Sequence, residues 1–316
     1  MGVISGAYNI ALDGRDPSAN VNFVSHAHSD HTSGIRRGRS IIASDATKSL
    51  IKERYGIEAA EANLCSGIRL LNAGHILGSR QLYAESDCGS MLYSGDYLLQ
   101  PSPVAERIEF TKADILIIDS TYPERSVKFD DRGDVTDNIS KYTERKLDKG
   151  IVLFGAYAVG KAQELISIFN EKGILPVVDR SISRMSRVYA KHCIRLKYAS
   201  IDENNEALEE ATKGNFVGIV SMHRLNELKG KISGFYGKTV FTAVATGFAK
   251  IMRFGADAQF ALSDHADFYQ ATEYIDNVCP EKIYTVGKGR EVFAQNLADE
   301  GYNAFPMDPS LGICSR

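Results

Sequence analysis

The run Val21-Asn22-Phe23-Val24-Ser25-His26-Ala27-His28-Ser29-Asp30-His31 decides the fold, because a short apolar strand-like segment ends in the pattern HxHxDH. Three of the chain's seven histidines and a carboxylate fall within those last six positions. Imidazole nitrogens and carboxylate oxygens are the donor set that zinc prefers, and alternate residues of an extended loop point to one side. His26 and His28 can therefore grip one ion while Asp30 and His31 reach a second. The competing reading is a solvated, histidine-rich turn. It loses weight because further ligands stand downstream in glycine-bounded turns.

Those ligands are His75 in Ala73-Gly74-His75-Ile76-Leu77-Gly78-Ser79 and Asp96 in Tyr93-Ser94-Gly95-Asp96-Tyr97. Taken singly, a loop histidine is commonly a hydrogen-bonded surface residue, and an aspartate a turn former. In this order the series resembles the metallo-β-lactamase superfamily. The resemblance implies that His26, His28 and His75 hold one metal, that Asp30 and His31 hold the other, and that Asp96 bridges them. It also implies that Asp13, in Leu12-Asp13-Gly14, braces the metal loop.

The 316 residues, 44% hydrophobic, suffice for one large domain or two ordinary ones. Cys65, Cys88, Cys193, Cys279 and Cys314 form no Cys-x-x-Cys pair, so neither a disulfide framework nor a thiolate zinc knuckle is expected. No apolar stretch approaches the about 18 residues of a membrane span. The N-terminus lacks the charged and apolar regions of a signal peptide, and Gly6 stands where a myristoylation signal wants Ser or Thr. A cytoplasmic enzyme without a membrane partner is the expectation.

A net charge of −3 does not mark a nucleic-acid binder, but the distribution is uneven. Arg180, Arg184, Arg187, Lys191, Arg195 and Lys197 follow one another with no acidic residue between, and the first four would line one helix face. A solvated face is the alternative. A second cluster, Arg36-Arg37-Gly38-Arg39, follows the metal motif closely, where it could steer a phosphate backbone. The segment from Gly155 through Tyr157 and Gly160 to Lys161-Ala162 nearly matches GxxxxGK[ST] between a strand and a helix. Ala162 lacks the hydroxyl that magnesium needs, which argues against a nucleotide triphosphatase. Amides at a helix start with a lysine still suit a phosphate, so Gly155, Tyr157, Gly160, Lys161, Arg184 and Arg187 are expected to bind nucleic acid, with a tight structural turn as the rival.

Short strands are expected at Ile41–Ala43, Ile68–Leu71, Gln81–Ala84, Met91–Tyr93 and Ile115–Ile118, with a helix from Ala46 to Tyr55. The polar stretch Ser126–Asn138 reads as a domain boundary. A second α/β pattern follows: strand Ile151–Phe154, helix Lys161–Phe169, strand Ile174–Val178, the basic helix, and strand Val217–Ser221. After a glycine-rich turn at Gly234 and Gly237, strand Lys238–Val244 is expected to return to the first domain. The expected division is 1–135, 136–236 and 237–316.

With these segments in place the chain resembles the β-CASP nucleases, a metallo-β-lactamase branch with an inserted domain. Asp119-Ser120-Thr121-Tyr122 looks like motif A, Leu262-Ser263-Asp264-His265-Ala266-Asp267 like motif B, and Gly160-Lys161-Ala162-Gln163-Glu164-Leu165 like the opening of the insert. At motif C, where RNA-processing members place a seventh ligand histidine, this chain has Tyr284-Thr285-Val286-Gly287-Lys288, with Gly287 or Val286 at the position. DNA-acting members carry valine in a similar context, whereas the ligase-associated exonucleases, which motif B resembles most, usually keep the histidine. The resemblance implies an α/β fold: a metallo-β-lactamase αββα sandwich with an inserted α/β β-CASP domain. It further implies catalytic Asp30, Asp119 and His265, with Asp119 orienting His265. Zinc is implied as cofactor, one ion tight and a second weaker, with Mn or Mg possible there. The implied activity is a DNA 5′ exonuclease acting on a free 5′ end. An RNA-processing nuclease, a small-molecule metallo-hydrolase and a noncatalytic scaffold are the alternatives.

Overall fold

The computed structural model describes residues 2–5, 8–14, 16, 19–35, 40–62, 66–86, 89–203 and 206–308. The Arg36-Arg37-Gly38-Arg39 cluster and Cys65, Cys88 and Cys314 lie outside them. In chain order the elements begin with β1 (Gly2–Ser5), β2 (Tyr8–Leu12), β3 (Val21–Phe23), β4 (Ser40–Ile42), α1 (Asp45–Tyr55) and β5 (Ala60–Glu61). Next come β6 (Ile68–Asn72), β7 (Arg80–Ser86), β8 (Gly89–Tyr93) and β9 (Ile115–Asp119). A run with longer helices follows: α2 (Arg132–Leu147), β10 (Ile151–Ala156), α3 (Lys161–Glu171), β11 (Val177–Val178), α4 (Arg180–Lys191), β12 (Ala199–Ser200) and α5 (Glu206–Thr212). The remainder is β13 (Val217–Ser221), α6 (Leu225–Tyr236), β14 (Val240–Ala245), β15 (Ala258–Phe260), α7 (Phe268–Val278), β16 (Lys282–Val286), α8 (Arg290–Asp299) and β17 (Ala304–Pro306).

Two compact units result, one of Met1–Lys128 with His265–Arg316 and one of Phe129–Asp264. The first carries a five-stranded sheet, β1-β2-β3-β4-β5, and a six-stranded sheet, β17-β16-β9-β8-β7-β6. Side-chain alternation builds both layers from the same strands. Met91, Tyr93 and Ile117 join Ile10, Leu12, Val21, Phe23 and Ile42 in the core between the sheets. Their neighbours Leu92, Leu116 and Ile118 face the other way, against Phe268, Ala271, Tyr274, Ile275 and Val278 of α7 and Phe293 and Leu297 of α8. The spacing of the α7 residues is that of one apolar helix stripe. This is the αββα sandwich, and its strand ends carry the histidine and aspartate motifs.

The second unit is a six-stranded parallel sheet in the order β12-β11-β13-β10-β14-β15. Helices α2, α3 and α4 cover one face through Val135, Ile139, Leu165, Phe169 and Ile182. Helices α5 and α6 cover the other through Leu208, Leu225, Leu228 and Ile232. Three expectations are corrected here. The polar stretch from Ser126 contains the first half of α2, whose few apolar residues Val135, Ile139 and Tyr142 all fall on one buried face. Gly234 lies inside α6, with only Gly237 serving as its left-handed C-cap. Finally, β14 does not return to the first unit but pairs in parallel with β10, Ile151 opposite Val240 and Gly155 opposite Val244. The chain therefore re-enters the first unit at His265 rather than at 237.

Candidate metal centre

Within the first unit His26, His28, His75 and Asp96 bring one donor atom each to within 4.8 Å of one another. His28 Nδ1 and His75 Nε2 stand 3.1 Å apart. Asp96 lies at the middle of the histidines. Its Oδ2 is 3.4 Å from His26 Nε2, 3.7 Å from His75 Nε2 and 3.8 Å from His265 Nε2, and its Oδ1 is 3.3 Å from His31 Nε2. Asp30 sits on the exposed side, its carboxylate 3.7 Å from His31 Nε2 and 79% accessible. Asp119 Oδ2 lies 3.4 Å from His265 Nδ1, and Asp96, Asp119 and His265 form a second potential ligand group. All eight residues expected from sequence to hold metal or act in catalysis meet in this one place.

Asp13 fixes the ring orientation of two of the histidines. Its carboxylate accepts from Ser25 N at 2.7 Å, Ser25 Oγ at 2.6 Å, Tyr93 Oη at 2.9 Å and His31 Nδ1 at 2.8 Å. A carboxylate only accepts, so the single Ser25 hydroxyl proton goes to Asp13. The 2.9 Å contact between Ser25 Oγ and His26 Nδ1 then places a proton on that nitrogen and leaves the His26 Nε2 lone pair pointing at Asp96. Tyr93 and Ser25 gave no sequence signal for this bracing.

The electrostatics follow from burial and neighbours. Burial, reinforced by His31, holds His26 well below the usual imidazole range, so the ring is neutral and its lone pair available. Burial opposes protonation of His31 as well, yet Asp96 and Asp13 outweigh it and raise that imidazole well above its usual value. Burial works against the Asp96 anion, but His31, His26 and His265 prevail and keep its carboxyl well below the ordinary range. Buried His26 Nε2 has no hydrogen-bond partner among the described residues. An orphaned lone pair is rare in a folded interior, and a divalent ion is the group that would satisfy it together with His28, His75 and Asp96.

Motif C supplies no donor. Val286 packs against the inter-sheet core, and its carbonyl accepts from Ser120 N at 3.0 Å. Gly287 has φ +99°, and a Cβ there would stand 3.3 Å from both Asp119 Oδ1 and Ser120 Oγ.

The residues expected to seat a phosphate belong to the second unit. Gly155, Gly160 and Lys161 are buried, while Tyr157 is 43% exposed. The Lys161 ammonium, fully buried, lies 2.8 Å from Glu164 Oε2 and 3.8 Å from Asp264 Oδ2. Glu164 is also paired with Arg132, which donates in addition to the Ser263 carbonyl. The expectation that Lys161 meets a terminal phosphate is thereby corrected, because its charge is already matched inside the fold. Arg187 on α4 is exposed and paired with Glu203 at 2.9 Å, Arg180 reaches Asp202 at 3.9 Å, and Arg184 is half-buried.

A sandwich of this topology with imidazoles and carboxylates converging at its strand ends is the arrangement of the metallo-β-lactamase superfamily. The relatives narrow it. A probable DNA ligase of Opitutus terrae is 30% identical over 305 residues, 90% of this chain and 28% of that protein. The 5′ exonuclease Apollo of Gallus gallus is 26% identical over 181 residues, 53% of this chain and 39% of that protein. An RNase J-like protein of Methanocaldococcus jannaschii is 32% identical over 105 residues, 32% of this chain and 25% of that protein. The chain thus spans well under half the length of each. Among solved structures, a protein of unknown function from Enterococcus faecalis V583 superposes with a TM-score of 0.61 at 13% identity, over 96% of this chain and 80% of that one, and bears on the fold alone. No protein-family model matches. By these relatives, its motifs and its fold the chain is similar to the β-CASP nucleases, a branch of the metallo-β-lactamase superfamily.

Proposed function

We propose that this chain is a zinc-dependent nuclease that hydrolyses DNA from a free 5′ end. The observation that carries the proposal is the cluster of His26, His28, His75 and Asp96 with the His265–Asp119 pair beside it. The donor chemistry favours zinc for the tight position, while exposed Asp30 with His31 and Asp96 makes a weaker one that Mn or Mg could share. The bound ions would supply activation of water and charge neutralisation at a phosphodiester. His265, faced on Nδ1 by Asp119, presents Nε2 for proton transfer to the leaving oxygen. Asp13 keeps His31 in the orientation that directs Nε2 inward.

DNA is favoured by the match with a probable DNA ligase along 90% of the chain and by the absence of a donor at Val286 and Gly287. Described Cys193 and Cys279 are free and exposed, which suits a reducing cytoplasm. No helix among the described residues is long and apolar enough to cross a membrane. The basic face of α4, with Arg184 and Arg187, is the proposed contact for the phosphate backbone. An RNA substrate is the second reading, favoured by the RNase J-like relative.

The test is incubation of metal-replete protein with end-labelled single-stranded and duplex DNA and RNA bearing 5′-phosphate or 5′-hydroxyl ends. Release of nucleotides from the 5′ end of DNA is expected. Cleavage confined to RNA would transfer the assignment to the second reading, and intact strands of every kind in the presence of bound metal would refute both.

A further inference from the structure

We propose that α1 is a strut that sets the spacing of the two histidine loops, and that Arg54 and Tyr55 at its exposed end are positioning residues for the metal centre. This inference rests on the metal-centre reading of His26, His28, His75 and Asp96, not on the choice of substrate.

Both ends of α1 grip backbone carbonyls of loops that bear metal-ligating residues. At its start the N-cap Ser44 and Thr47 place their hydroxyls 2.6 and 3.0 Å from the Gly78 carbonyl, in the loop that begins at His75. Gly78 has φ +74°, and a Cβ on it would come within 2.6 Å of Ala46 Cβ and Ser44 Oγ, so only glycine allows the approach. The amide of Gly78 donates to Glu106 Oε2 at 3.0 Å, which clamps the same peptide from its other side.

At the far end of α1 the guanidinium of Arg54 donates to the Ala27 carbonyl at 3.2 Å. Ala27 separates His26 from His28 and is itself fully buried. Tyr55 Oη stands 3.1 Å from Thr32 Oγ1, and Thr32 Oγ1 donates to the Ser29 carbonyl at 3.1 Å. The Thr32 proton being committed to Ser29, Tyr55 is the donor in that chain. Arg54 also lies over the Tyr55 ring, 5.3 Å from its centroid, which holds the two side chains together.

An 11-residue helix spans roughly 16 Å. It is a rigid bar between the loop of His26 and His28 and the loop of His75. Neither Arg54 nor Tyr55 is needed for the core: both are exposed, while Ala46, Thr47, Leu50 and Ile51 bury the other side of the helix. Among the described residues their polar ends meet the ligand loop and each other. Removing them should therefore loosen the ligand geometry without weakening the packing.

The experiment titrates cobalt(II) into the metal-free full chain and follows its ligand-field absorption, with thermal melting of the metal-free protein measured in parallel. Arg54→Met and Tyr55→Phe should each weaken metal binding by about tenfold, as loss of an outer hydrogen-bonding partner does. The metal-free melting temperature should remain that of the wild type. Arg54→Lys, which keeps a donor, should retain more affinity than Arg54→Met. Lys52→Met, on the same turn but paired with surface Glu58, should leave binding unchanged. Wild-type affinity in Arg54→Met and Tyr55→Phe would overturn the proposal, and so would a loss of affinity matched by a loss of metal-free stability. A protein that binds metal normally yet cleaves no nucleic acid would refute the nuclease reading and leave this one intact.

Discussion

Each unit buries a cluster of ionisable side chains, and the two clusters are built on opposite principles. In the second unit Arg132 and Lys161 face Glu164 and Asp264, two cations against two carboxylates, each charge with a partner inside the fold. In the first, His26, His31, His75 and His265 all converge on the single carboxylate of Asp96, and the buried Nε2 of His26 has no hydrogen-bond partner among the described residues. Every charge of the balanced cluster meets an opposite one. In the other, the His26 Nε2 lone pair faces the Asp96 carboxylate with no hydrogen bond between them, which is the condition of a site that takes up a cation. Burial and charge alone do not distinguish the two clusters; that unmatched lone pair does.

The largest effect that could break this contrast is expected at Asp96. Asp96→Ala removes the group on which the imidazoles converge, so bound metal and hydrolysis should both fall to background while the two-unit fold persists. Metal content by elemental analysis and turnover on labelled DNA check this, and a variant with wild-type values for both would mean that the centre lies elsewhere.

Lys161 probes the other side of the comparison. Lys161→Met strips the ammonium from buried Glu164 and half-buried Asp264, and removal of one partner from a buried charge network costs about 3–5 kcal/mol. Urea unfolding should show that loss with bound metal unchanged. If stability instead survives and only the cleavage of 5′-phosphorylated strands slows, Lys161 reaches a phosphate after all, and the two clusters are more alike than their geometry indicates.

The first cluster was legible in the sequence because its core is local. Six consecutive positions carry three histidines and an aspartate, and His75 and Asp96 announce themselves through flanking glycines at strand ends. The second was misread for the opposite reason. Glu164 stands three residues after Lys161 and was visible, but Arg132 and Asp264 lie on either side of it, far along the chain, and only folding brings them to α3. Without them the glycines and lysine imitate a phosphate loop. The same nonlocality hid the pairing of β14, whose strand character is legible but whose partnership with β10 depends on sheet register, and hid Arg54 and Tyr55, polar residues at a helix end that mean nothing until Ala27 and Thr32 are beside them.

A smaller effect should sharpen the picture of a second unit held by satisfied charge. Asp179 caps α4 and ties it to β13, accepting from Ser181, Ile182 and Ser221. Burial would raise its carboxyl, but the hydrogen bonds from Ser181, Ser221 and Ile182 prevail and lower it. A lowered folded-state value means that this stabilisation is present in full above the unfolded carboxyl value of about 3.9 and disappears as pH falls through the folded value. Asp179→Ala should cost about 2 kcal/mol at neutral pH, and its stability should decline less than that of the wild type on acidification. Denaturation midpoints measured from neutral to acid pH test both. Parallel acid profiles would show that the cap carries none of the dependence.

The left-handed backbone at Gly287 limits how this protein could be redesigned. A histidine grafted there as a further ligand for the proposed second ion would have to enter a conformation costly for any side chain, with its Cβ pressed against Asp119 and Ser120. At the neighbouring position, Val286→His would exchange a residue packed on the inter-sheet core for a polar ring. Neither graft is a local change. Converting this centre to the fully liganded type would require the turn after β16 to be rebuilt, so the route between the two kinds of centre runs through the backbone rather than through one codon.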